Sequence, residues 1–136
     1  MAEKYYLLSK DTGDGPYLIG ELERLDRREY RFRYLIKGDV FPEWFMYIPG
    51  MGSVGYPYQS RTALQHIIHR LVPEGGSWAA GLLMRQCGVG EYDEWELMVA
   101  LIEQHKLHSA DGIPLGDSHQ LFYLYEEIPA QANRYD

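Results

Sequence analysis

Aromatic and charged residues alternate most cleanly over residues 29–36. Tyr30, Phe32 and Tyr34 fall on one side, and Glu29, Arg31 and Arg33 on the other. A period of two belongs to a strand with one face on a core and the other in water. Residues 4–9 and 17–24 read as two earlier strands. The turn-rich Asp11-Thr12-Gly13-Asp14-Gly15-Pro16 joins them, and Leu25-Asp26-Arg27-Arg28 leads into the third. Together they predict an antiparallel meander with one wet face. Residues 40–51 are apolar but carry Pro42 and Pro49, which exclude a continuous helix or a central strand. They read as an extended edge segment or ordered loop, and residues 52–58 continue as loop.

Beyond Ser60 the apolar spacing changes to threes and fours. Leu64, Ile67, Ile68 and Leu71 form a stripe over residues 61–72, which Ser60 can cap and Pro73-Glu74-Gly75-Gly76 ends. Ser77 caps a second helix over 78–87, stopped by Gly88 and Gly90. Asp93 caps a third over 94–105, with Glu96 placed as in a capping box. Its stripe is Trp95, Met98, Val99 and Ile102, with Leu97 and Leu101 alongside. Residues 111–114 and 116–118 read as turns before a last strand over 121–126. The expected fold is α+β: an antiparallel meander of three to five strands packed against three short α-helices. Residues 1–128 form the single domain, and 129–136 a flexible tail.

With 136 residues, 46% of them hydrophobic, the chain can bury a core without disulfides or metals. Twelve tyrosines suit half-buried strands and contact surfaces alike. The formal charge of −7 disfavours a general binder of phosphate backbones and suits a basic protein partner. Cys87 is the single cysteine, so no internal disulfide forms, and a reducing cytoplasm is the expected location. No stretch approaches the length of a membrane span, so no membrane association is expected.

Several motifs invite chemistry and are met by plainer readings. Asp11-Thr12-Gly13 copies the aspartic-protease triplet, but Ser9-Lys10 precede it where that chemistry wants an apolar strand. Asp14-Gly15-Pro16 behind it reads as turn chemistry. His66 and His69, like His105 and His108, have a chelating spacing but no third ligand on the same stripe, so no metal is expected. Cys87 stands at the end of a helix, where the dipole does not favour a thiolate. Arg24, Arg27, Arg28, Arg31 and Arg33 are the one basic concentration and could touch nucleic acid. Alternatively they lie on a wet sheet face that Glu23, Asp26 and Glu29 partly neutralise. Glu91, Asp93, Glu94 and Glu96 crowd the start of the third helix. There they match its dipole and can also face a basic partner.

Taken in order, these segments resemble the N-terminal subdomain of HipA-type toxin kinases and the free-standing HipS-like small proteins that match it. The resemblance runs from Ile19-Gly20-Glu21-Leu22 through Tyr30-Arg31-Phe32-Arg33-Tyr34 to Ile48-Pro49-Gly50-Met51. It continues through Leu64-Gln65-His66-Ile67-Ile68-His69-Arg70-Leu71-Val72-Pro73 and Tyr92-Asp93-Glu94-Trp95-Glu96-Leu97-Met98. Phe41-Pro42 and Ile48-Pro49-Gly50 are also similar to Firmicute modules that precede HIRAN-type regions. The match covers about residues 5–126, through motifs that are mainly structural. In the family the chain would continue into a kinase core, so no catalytic role is carried over.

The resemblance implies a small domain that packs on a larger protein. The expected function is therefore a non-catalytic interaction protein without cofactor. It would be an antitoxin-like or inhibitor protein that docks on and occludes an enzyme such as a HipA-type kinase. Trp44, Phe45, Tyr47, Tyr56 and Tyr58 are its expected anchors, with Glu91, Asp93 and Glu94 as acidic contacts. Two alternatives stand beside it: a phage or mobile-element inhibitor of a host defence nuclease, and a nucleic-acid accessory module using the arginine hairpin.

Overall fold

The computed structural model describes residues 4–9, 16–35, 48, 57–60, 63–69, 71–109, 112–116 and 121–133. In chain order the elements are β1 (Lys4–Ser9), β2 (Leu18–Asp26), β3 (Glu29–Tyr34), β4 (Tyr58–Ser60), α1 (Ala63–Ile68), α2 (Trp78–Cys87), α3 (Glu94–Lys106), β5 (Ile113–Gly116) and β6 (Leu121–Tyr125). The strands form one antiparallel sheet of six, ordered β4-β3-β2-β1-β6-β5. The α+β class and the three helices agree with the sequence reading, but six strands exceed the expected three to five. The additional strands are the two edges. Tyr58–Ser60 was expected to leave a loop and cap a helix, and Ile113–Gly116 to turn. Neither is long enough to show alternation. Pro114 also disguises β5, yet an edge strand tolerates a residue that cannot donate to a ladder. The first helix is likewise shorter than the expected 61–72, covering Ala63–Ile68.

The inward face of the sheet is assembled row by row. Tyr5, Leu22, Phe32 and Tyr58 lie opposite one another across four strands. Tyr34, Gly20, Leu7, Leu124 and Ile113 form the next row. Ile67, Ile68, Leu97, Met98 and Ile102 close over these rows; of the expected stripes, Leu71 lies past α1 and Val99 is half-buried, while Leu97 takes a core position in α3. At the centre, Trp95 is fully buried. Its ring stacks on Tyr30 at 5.9 Å and meets Tyr5 edge-on at 5.4 Å. A register shift between Leu7 and Leu8 lets Ile19 join this core while Leu18 pairs with Leu8.

The other face carries charge. Lys4, Glu23 and Arg31 share one row, and Glu21 lies opposite Arg33 in the next. Glu21 is buried there, with Arg33 Nε 3.4 Å and Lys4 Nζ 3.6 Å from its Oε1. Of the tail segment, Asn133 is tied to the start of β2: its N–H donates to the Pro16 carbonyl and its own carbonyl accepts from Leu18 N–H. Among the described residues no helix is long and apolar enough to cross a membrane.

Candidate functional site

The arginine hairpin and the acidic helix start, far apart in sequence, meet in the fold. Arg24 lies near the end of β2, before the two-residue turn Arg27-Arg28. Asp93 is the N-cap of α3, in extended backbone, and its Oδ1 accepts from Trp95 and Glu96 N–H. That cap aims its second oxygen at the hairpin, and Arg24 Nη2 donates to it at 3.0 Å. Arg24 Nη1 donates to Glu96 at 3.2 Å. Glu96, placed in sequence as a capping-box partner, thus serves a hairpin arginine. Arg27 pairs with Glu91 at 3.1 Å in the open, where such a pair stabilises little. Arg31 pairs with Glu23, and Arg33 with Glu21. Burial works against the Arg24 charge, but Asp93, by charge and hydrogen bond, holds its guanidinium above the ordinary value.

Beside this junction lies a cleft of about 360 Å³, bounded by the Arg27-Arg28 turn, Gln65 of α1, Glu74 and the start of α3. Tyr30 and Tyr92 supply its aromatic surface. Burial, then Glu94 and Asp93, push the Tyr30 phenol up to about 12. Tyr92 donates to the Pro73 carbonyl at 2.7 Å, and burial followed by Glu94 raises it too. Glu94 accepts from Gln65 Nε2. Its carboxyl is nevertheless raised, because burial outweighs that hydrogen bond. Glu74 and Arg28 are exposed at the rim and make no ion pair with a described residue. Chemically, the arrangement is a mixed-charge, tyrosine-lined recess suited to receiving complementary side chains.

Of the expected aromatic anchors, Trp44, Phe45, Tyr47 and Tyr56 lie outside the described residues, as does Asp11-Thr12-Gly13. Tyr58 is half-buried on β4, edge-on to Tyr34 at 6.5 Å. His66 and His69 are exposed on and just after α1, and His69 Nδ1 lies 3.2 Å from the Gln65 carbonyl. Among the described residues no group of three or more His, Cys, Asp or Glu is placed to hold a metal. Burial pushes the Cys87 thiol up, against a weak contact from Gln104.

Sequence reasoning passed over Trp78. It opens α2 directly after the Ser77 cap, and 81% of it is exposed. Most tryptophans are largely buried, so such exposure is informative. Its signal was available: Ala80, Leu83, Met84 and Cys87 recur at helical spacing as the core-facing stripe of α2, and Trp78 falls on the opposite side of the helix. Leu107, just past α3, is 82% exposed. No family model, curated protein or solved structure matches the chain.

Proposed function

We propose that this chain is a non-catalytic docking module that binds and occludes a partner enzyme, with a HipA-type kinase as the leading candidate. The observation that carries the docking reading is Trp78, a large aromatic surface held in water at a well-capped helix start. Tryptophan is the side chain that most often anchors protein interfaces. The kinase assignment rests on the resemblance of the strand and helix motifs to the HipA N-terminal subdomain. The exposed acid Glu74, at the rim of the recess and without an ion pair to a described residue, adds a contact for a basic side chain.

The nucleic-acid reading is weakened by the ion pairs. Arg24, Arg27, Arg31 and Arg33 each face a carboxylate of the same chain, in a protein whose formal charge is −7. That charge also supports the second reading, an inhibitor seated in the basic groove of a defence nuclease.

Calorimetric titration against a HipA-type kinase core freed of its own N-terminal subdomain tests the first reading. Stoichiometric binding is expected. Trp78→Ala should weaken it about tenfold or more while leaving the melting temperature unchanged. No heat of binding removes the kinase, and unaltered affinity in the variant removes Trp78 as the anchor. Affinity for a basic nuclease that falls steeply with salt would favour the second reading.

A further inference from the structure

Opposite its core-facing stripe, α2 carries Trp78, Leu82 and Arg85 at helical spacing, with Gly81 beside them. Trp78 is almost wholly in water and Leu82 is half-buried. Arg85 is exposed and makes no ion pair with a described residue. An indole and a guanidinium thus stand at either end of a short apolar patch.

Gly81 has no use within the described chain. Glycine inside a helix is less stable than alanine, yet a methyl group at this position would meet nothing within 4 Å. A second helix crossing here would use the glycine, because its absent side chain lets two backbones approach closely. Charge indicates which helix. Two chains of −7 repel one another over much of their surfaces. The α2 helix, however, contains no acid, and Arg85 is its one charged side chain. The face also complements itself. Positions 78 and 85 lie equally far from the midpoint between Gly81 and Leu82, so a twofold axis there sets each indole against the other guanidinium. Arginine over an indole ring is a favourable contact.

We propose that α2 pairs antiparallel with α2 of a second copy about a twofold axis beside Gly81, with Trp78 of each chain covering Arg85 of the other. The pairing does not rest on the docking reading, although an enzyme held through Trp78 would compete for the same face.

One face of a ten-residue helix is smaller than a standard interface, so the dimer should be weak, with a Kd on the order of 10–100 µM. Sedimentation equilibrium of this chain alone, from about 5 to 500 µM, tests it. A monomer–dimer equilibrium is expected, strengthened by salt, which screens the repulsion between the two net charges. Trp78→Ala and, separately, Arg85→Glu should each weaken it about tenfold or more. Gly81→Leu should weaken it as much by holding the helices apart, with a melting temperature no lower than that of the unaltered protein. If Trp78→Ala fails to fold, the other two variants decide. A monomer throughout the range overturns the proposal and leaves the kinase titration untouched. A dimer that no variant weakens, or that salt dissociates, lies on another face and also overturns it. Growth beyond two copies excludes the twofold closure and does the same.

Discussion

A methyl group added at Gly20 would lie 2.8 Å from the Arg33 carbonyl oxygen and against the Phe32 ring. The ring can turn, but the carbonyl is fixed by the ladder between β2 and β3. Gly20→Ala is expected to cost about 1–3 kcal/mol, seen as a lowered urea midpoint; an unchanged midpoint would mean that the sheet yields at this position. Glu94 is a problem of charge rather than space. Burial raises its carboxyl above the unfolded value of about 4.3. Its folded form therefore holds a proton more tightly than its unfolded form, and any stability so gained is present below that pH. As pH rises through the folded value the contribution is lost. Glu94→Gln keeps an acceptor for Gln65 but cannot ionise. Its stability relative to the unaltered protein should improve as pH rises above about 4 and level off once pH has passed the folded value. A relative loss over the same interval would show that the carboxylate is favoured at the helix start despite its burial.

Between elements, Arg24 is the bolt that joins the β2–β3 hairpin to α3. Its side chain and that of Asp93 are only 12% and 15% exposed, so this pair is screened less than the others. Asp93 has two roles, as cap and as charge, and two substitutions separate them. Asp93→Asn retains a capping oxygen and should lose about 1 kcal/mol, whereas Asp93→Ala should lose about 2–3. In a double-mutant cycle, Arg24→Ala should couple to Asp93→Asn by at least about 0.5 kcal/mol; additivity would make the contact incidental. The cap itself was readable from Asp93, as were Ser77 at α2 and the left-handed Gly88 that ends it, whereas the Glu96 carboxylate turns to Arg24 instead of completing a capping box. The β3 alternation was readable too, because a cap is a signal of a few neighbouring residues and six residues of strict alternation are enough to fix a period of two. The bolt was not readable. Arg24 and Asp93 lie 69 positions apart, and the packing of α3 on the sheet, with Trp95 against Tyr30, brings them together. Short edges such as β5 were hidden for the opposite reason: four residues including a proline carry too little pattern to show a period.

Over the whole molecule, the same pairs determine what the arginines can meet. A nucleic-acid backbone competes for a guanidinium against carboxylates already in place, and it also faces the net charge of −7. Labelled single strands and duplexes are therefore expected to show no anisotropy change with the unaltered protein, even at low salt. The converse is the sharper experiment. Replacing Asp93 by Asn and Glu91 by Gln together would release Arg24 and Arg27 partly from their partners while keeping a cap on α3. Glu96 would still hold Arg24 through its other amine, so the gain should be small. Weak binding should appear at low salt and vanish as salt rises. The slope of log K against log salt should steepen by about one to two phosphate contacts. If the double variant binds no better than its parent, the internal pairs are not what silences the hairpin. If the parent itself binds at low salt, the arginines are available as they stand, and the docking reading loses its main support against nucleic acid.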